Sequence, residues 1–171
     1  MKTIPKPKES EILKRKVMLP PPKKSHHKKV VIFDMDETLI HCVDDITKES
    51  PDYLLDVKFP NGEIVQAGVN VRPYAIECLK EANKNYQVVV FTASHKFYAD
   101  VVLNFLDPKR ELIHHRLYRE HCYQTADGVY IKDLRILKNR NLKDVVIVDN
   151  AVYSFGFQID NGIPIIPFYN N

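Results

Sequence analysis

Asp34 and Asp36 stand one residue apart at the end of an apolar, β-branched run, Val30-Val31-Ile32-Phe33, and Glu37-Thr38-Leu39 follow them. Carboxylates so spaced on a strand point to the same side and repel each other. A divalent hard cation between them relieves the repulsion. With that charge neutralised, Asp34 is able to attack a phosphorus atom, and Asp36 to exchange a proton with the attacking or leaving oxygen. A D-x-D pair also fits a turn or a helix cap, so its reading as phosphoryl-transfer chemistry needs partners elsewhere in the chain.

Three further segments supply oxygens or a cation. Tyr86-Gln87-Val88-Val89-Val90-Phe91 runs into the hydroxyls of Thr92-Ala93-Ser94, where Ser94 reads equally as the N-cap of a helix starting near His95. Asp144-Val145-Val146-Ile147-Val148 runs into Asp149-Asn150, oxygen ligands again at a strand exit. Between the two lies Lys132, in Tyr130-Ile131-Lys132-Asp133-Leu134, a residue type that is usually a surface charge. Apolar strands that release polar side chains at one end predict a doubly wound α/β fold around a parallel sheet, since ligands bind there outside the carboxyl ends of the strands.

In this order and spacing, Asp34-Met35-Asp36-Glu37-Thr38-Leu39, Phe91-Thr92-Ala93-Ser94, the Lys132 segment and Val148-Asp149-Asn150 resemble the four motifs of the haloacid-dehalogenase-like superfamily. More narrowly, they resemble the small phosphatases that act on the carboxyl-terminal domain of RNA polymerase II. The likeness runs from about Lys28 to Tyr169. It implies a Rossmann-like parallel sheet with a β-hairpin flap, a small β insertion and no large cap. The open site would suit a side chain presented on a protein.

The resemblance also implies roles. Asp34 would become an aspartyl-phosphate, and Asp36 would protonate the leaving serine or threonine oxygen and then activate water. Thr38 would orient Asp36. Thr92 and Lys132 would hold phosphoryl oxygens. Asp34, the main-chain carbonyl of Asp36, and Asp149 or Asn150 would bind Mg²⁺ together with waters. Ser94, Tyr98 and Arg119 match places of substrate contact. The implied activity is that of a Mg²⁺-dependent protein-serine/threonine phosphatase, with the polymerase C-terminal domain as one substrate to consider. A mildly acidic pH optimum follows from an acid that must be protonated to donate. Two alternatives stay open: a non-catalytic binding module resembling a mitochondrial import receptor, and a small-molecule phosphatase of the same mechanism. Asp44 departs from the aromatic that polymerase-specific members carry at the proline-docking pocket.

Composition bounds the rest. The 171 residues, 44% of them hydrophobic, suffice for one domain with its own core, expected over 29–171. A net charge of +3 without a basic-aromatic stripe argues against direct nucleic-acid binding. Cys42, Cys78 and Cys122 are odd in number and widely spaced, which suggests neither disulfides nor zinc. A reducing, intracellular setting, nuclear or cytoplasmic, fits them. No run approaches the roughly 18 apolar residues of a membrane span, and the N-terminus lacks an apolar signal core. A soluble monomer is expected. Residues 1–28, with Pro20-Pro21-Pro22-Lys23-Lys24 and His26-His27-Lys28 as the densest parts, read as a mobile extension, or else as an anion-binding or nuclear-import tail.

The connecting elements are also legible. Pro60-Asn61-Gly62-Glu63, between Tyr53–Phe59 and Ile64–Val69, predicts a hairpin. Ala75, Cys78, Leu79 and Ala82 in one helix, and Tyr98, Val101, Val102 and Phe105 in the next, read as core stripes. The stretch from Glu111 to Tyr130 is less regular and predicts the small β insertion; His114 and His115, pointing to opposite faces, read as ordinary polar positions. Ile163–Tyr169 reads as a last strand. Members of the resembled family usually continue with an acidic segment and a final helix. A chain ending at Asn171 is therefore expected to be shortened, or to leave part of the sheet uncovered.

Overall fold

The computed structural model describes residues 7–24 and 26–169. In chain order the elements are α1 (Glu9–Lys14), β1 (Val30–Phe33), β2 (Ile40–Val43), β3 (Tyr53–Lys58), β4 (Ile64–Val71), α2 (Ala75–Asn85), β5 (Gln87–Phe91), α3 (Lys96–Leu106), β6 (His115–Leu117), β7 (Tyr123–Gln124), β8 (Tyr130–Ile131), β9 (Val145–Asp149) and β10 (Gly162–Pro164). One five-stranded sheet has the order β10-β9-β1-β5-β6, and every neighbouring pair in it is parallel. Phe33 is in register with Val90 on one side and Val148 on the other, so the exits of β5, β1 and β9 lie side by side. The chain thus has the predicted α/β fold.

Alternation along β1 sends Val31 and Phe33 to one face and Val30 and Ile32 to the other. The first face packs on Ala75 and Leu79 of α2 and on Ala99, Val102, Leu103 and Leu106 of α3. Both helices lie slightly rotated from the predicted stripes. Cys78 is exposed while Ile76 packs on the core, and Tyr98 and Phe105 sit at its margin. The second face is closed by Leu134, Ile136, Leu137 and Phe155 from short 3₁₀ turns and by Ile12 and Leu19.

Those last two residues belong to the segment whose composition suggests a mobile linker. Its described part is instead docked: Leu19 is 2% exposed, the Val17 N–H donates to the Ile136 carbonyl at 2.9 Å, and the Asn139 amide pairs with both main-chain groups of Leu19. Lysines and prolines mask these apolar anchors in the composition. Met1–Lys6 lie outside the described residues.

β2, β4 and β3 form a separate antiparallel sheet containing the predicted hairpin. Its turn spans residues 59–63, with Gly62 at φ 90°, a left-handed conformation that favours glycine. The irregular stretch splits in two. His115–Leu117 is the outer strand of the main sheet, because Leu117 is buried, and only β7 and β8 form the insertion. The final strand is limited to Gly162–Pro164, after which Phe168 turns inward under Arg72. Among the described residues no helix is long and apolar enough to cross a membrane.

Candidate active site

The ladder of β1 continues one step past the strand, where the Asp34 N–H donates to the Val148 carbonyl at 2.9 Å. The chain then folds back sharply. The Leu39 N–H reaches the Met35 carbonyl at 2.8 Å and the Glu37 N–H reaches Ile40 at 2.7 Å, with Glu37 left-handed at φ 57°. Asp34 and Asp36 therefore do not project from a straight strand. Each carboxylate finds its own partners.

Lys132 Nζ donates to Asp34 Oδ1 and, at 2.6 Å, to Asp149 Oδ2. All three residues are buried. Burial opposes the ammonium charge, yet Asp34 and Asp149 outweigh it and raise the Lys132 pKa. Burial also pushes the Asp34 carboxyl up; Lys132 works against that, and the charges of Asp149 and Asp36 add to it. Ser154 Oγ and the Ala151 N–H complete the bonding of Asp149, at 2.6 and 2.8 Å. No motif in the sequence pointed to Ser154.

Asp36 is held by neutral groups instead. Ser94 Oγ and Thr92 Oγ1 donate to Oδ2 at 2.8 and 3.1 Å, and the Tyr98 hydroxyl to Oδ1 at 3.3 Å. Several expected roles shift as a result. Thr38 was expected to orient Asp36, but its hydroxyl donates to Asp34 Oδ2 at 3.2 Å, because the fold-back turns it towards β9. Thr92 was expected on phosphoryl oxygens; it is fully buried and engaged by Asp36 and by the Ser94 N–H. His95, not Ser94, occupies the N-cap position of α3. Arg119 donates to the Ala93 carbonyl and to His95 Nε2, and lies 5.0 Å from the centre of the Tyr130 ring. Arg72, unflagged in the sequence, donates to the carbonyls of Glu37 and Ile166 and pins the turn that carries both aspartates.

Asp34, Asp36, Lys132, Asp149 and Asn150 line one cleft of about 370 Å³, bordered by Gly128, Val129 and Tyr130 of the small insertion. As oriented, the Asn150 side-chain oxygen lies 3.1 Å from Asp34 Oδ2 and 3.3 Å from the main-chain oxygen of Asp36. Three oxygens converge there, and the one hydroxyl proton of Thr38, whose Oγ1 lies 3.2 Å from both Asp34 Oδ2 and the Asn150 oxygen, can serve only one of them. Either the amide turns over and donates, or a hard cation occupies the space, so the residues present fit a Mg²⁺ site completed by waters. Asp149 is spoken for by Lys132, Ser154 and Ala151, which leaves Asn150 as the fitting ligand of the pair. Among the described residues no group of three or more His, Cys, Asp or Glu is arranged to hold a metal; this set depends on an amide and a main-chain oxygen.

Residues 29–171 match the profile of the NLI interacting factor-like phosphatases. The chain belongs to that family. As a family member it is 43% identical over 155 residues to CTD small phosphatase-like protein 2 of Dictyostelium discoideum, a match covering 91% of this chain and 26% of that protein. It is 37% identical over 169 residues to CTD small phosphatase-like protein 3 of Caenorhabditis elegans, covering 96% and 56%. Phosphatase PSR1 of Saccharomyces cerevisiae is 39% identical over 141 residues, covering 82% and 32%. The chain thus spans about a quarter to just over half of the length of these relatives. The fold is shared with a variant of the fission yeast RNA polymerase II CTD phosphatase Fcp1 bound to beryllium fluoride, at a TM-score of 0.69 and 22% identity over 85% of this chain and 43% of that one.

Proposed function

We propose that the protein is a Mg²⁺-dependent phosphoprotein phosphatase that works through an aspartyl-phosphate on Asp34. The observation that carries this reading is the division of partners between the two carboxylates. Asp34 meets the Lys132 ammonium, while Asp36 meets three hydroxyls. Carboxylates set apart in this way suit a nucleophile and a proton carrier.

In the first step an Asp34 oxygen bonds to phosphorus, the ester P–O bond breaks, and Asp36 gives its proton to the departing serine or threonine oxygen. In the second, Asp36 takes a proton from water, the water oxygen bonds to phosphorus, and the Asp34–phosphorus bond breaks to release inorganic phosphate. Lys132 stabilises charge gathered beside Asp34. Mg²⁺ held by Asp34, the Asp36 carbonyl and Asn150 would neutralise phosphoryl charge. The same ion would favour the ionised nucleophile that burial disfavours.

A phosphoserine or phosphothreonine on a protein is the substrate we favour, because no helical cap closes the cleft among the described residues. Beside it, Val43, Val57, Phe59, Val65 and Tyr98 line an apolar cleft of about 250 Å³, suited to an apolar neighbour of the phosphorylated residue. The RNA polymerase II C-terminal domain is the first substrate to test, given the names of the relatives. The reading takes the protein to be a monomer in a reducing intracellular compartment. Phosphoserine and phosphothreonine peptides should be assayed against sugar phosphates, with and without Mg²⁺. Mg²⁺-dependent hydrolysis of the peptides is expected, and hydrolysis of sugar phosphates alone, or of nothing, would overturn the proposal.

A further inference from the structure

A second and larger cleft, of about 550 Å³, opens between α3, β6 and the N-terminal extension and shares no lining residue with the carboxylate cleft. Four permanent cations line it, Lys23, Lys96, Arg110 and Arg116, against two carboxylates, Asp100 and Glu120. Asp100 is already shared. Its oxygens accept from Lys96 Nζ at 2.6 Å, Arg116 Nη1 at 2.8 Å and the Tyr118 hydroxyl at 2.7 Å. Among the described residues Lys23 and Arg110 have only neutral partners, the Arg110 carbonyl at 3.0 Å and the Asn104 side-chain oxygen at 3.3 Å.

Arg116 adds a second, independent observation. Its side chain is 10% exposed, its Nη1 also donates to the Asn104 side-chain oxygen at 2.9 Å, and among the described residues its buried Nη2 has no hydrogen-bond partner. A guanidinium N–H left unsatisfied costs more than a neutral one, and its natural complement is an anionic oxygen. The three histidine rings on the wall, His114, His115 and His121, bring little charge to such a ligand, because burial lowers the pKa of each. His121 Nδ1 accepts from the Tyr118 N–H at 3.0 Å, which leaves the ring proton on Nε2 as a donor.

We propose that this cleft is a second anion site that takes a phosphate dianion, either free or carried on a second phosphorylated side chain of a bound protein. The Lys-rich extension is then part of the wall, through Lys23. The inference stands on this cleft alone, so it is tested by binding and does not depend on the activity proposed for the other.

The test compares wild type with the double variant Lys23→Ala, Arg110→Asn. Both side chains are exposed, and asparagine tolerates the left-handed backbone of Arg110 at φ 54°. Inorganic phosphate is titrated into ¹⁵N-labelled protein at constant ionic strength. Saturable shifts of the Arg116 and His121 amides are expected, weakened about tenfold or more in the variant, the scale of one charge-assisted contact. The Thr92 and Ser94 amides should respond alike in both proteins, and hydrolysis of p-nitrophenyl phosphate should not change. A doubly phosphorylated peptide that binds wild type several-fold tighter than a singly phosphorylated one, an advantage lost in the variant, identifies a substrate phosphate as the occupant. Saturation by inorganic phosphate with equal peptide affinities identifies the free ion. Cleft shifts that do not saturate, that chloride reproduces, or that the variant leaves unaltered overturn the site.

Discussion

The Ser94 hydroxyl stands 2.8 Å from Asp36 Oδ2, joining the turn after β5 to the turn after β1. Thr92 and Tyr98 complete a set of three hydroxyls around that carboxylate. Ser94→Ala removes the shortest of the three bonds. It should lower kcat/KM for a phosphoserine peptide about tenfold, with a smaller loss on p-nitrophenyl phosphate, whose leaving group needs less protonation. Parallel Michaelis curves on the two substrates check this.

Asp34 and Asp36 should separate kinetically. Asp34→Asn loses the carboxylate proposed to take the phosphoryl group and should show no turnover on any ester while remaining folded. Asp36→Asn loses the proton carrier, so the phosphoserine peptide should suffer more than p-nitrophenyl phosphate. Equal losses on both substrates would contradict a general acid at Asp36.

Lys132→Met should affect rate and stability together. Loss of one preorganised electrostatic contact lowers kcat on the order of a hundredfold or more. It also leaves Asp34 and Asp149 buried without their shared cation, so the melting temperature should fall at pH 7. The two carboxylates then repel, and protonating one relieves them. The deficit relative to wild type should therefore narrow as the pH is lowered towards about 5, read by circular dichroism melts.

Metal dependence can be read through Asn150. EDTA should silence the wild type and added Mg²⁺ restore it. Asn150→Ala should raise the Mg²⁺ concentration needed for half-maximal rate by about tenfold or more, the scale of a lost ligand-shell contact. Mg²⁺ with beryllium fluoride, a mimic of the phosphoryl group on Asp34, should raise the melting temperature of the wild type and not of Asp34→Asn. Protection that persists in Asp34→Asn would mean that the anion binds elsewhere.

Asp100 gives a pH prediction for stability. Burial alone would raise its pKa, but hydrogen bonds from Lys96, Tyr118 and Arg116 outweigh that and hold the carboxyl at about 2, below the ordinary 3.8. A folded-state pKa that is depressed contributes stability above the unfolded value, and the contribution disappears as the pH falls through the folded one. Asp100→Asn should therefore have a lower urea midpoint than wild type at pH 7, and the gap should close between about pH 4 and pH 2. A gap that does not change with pH would refute the assignment.

The sequence by itself determined the central strands, α2 and α3, the hairpin, and the choice of Asp34, Asp36, Lys132, Asp149 and Asn150 as candidates, which the fold brings to one cleft. Runs of valine and isoleucine bury themselves whatever their neighbours, and polar residues at the ends of such runs are forced out where parallel strands stop. Local pattern was sufficient for these. It failed where burial was supplied from far away in the chain: Ile12 and Leu19 were hidden by lysines and prolines, and His115–Leu117 became a strand only because Val89, Val90 and Phe91 offered it an edge.

Tertiary structure alone decided which oxygen met which proton. Thr38 lies two residues from Asp36 yet bonds to Asp34, while Ser94 and Tyr98, 58 and 62 residues distant, hold Asp36. Ser154 and Arg72 had no motif to announce them, and of the basic cleft only Lys23 lay in a segment for which anion binding was one of the readings. Spacing fixes where a backbone can go, but a hydrogen bond is made or lost within a few tenths of an ångström. That distance is set by how the turn after β1 folds back and how α3 is rotated on the sheet, and both follow from packing contacts made across the whole domain.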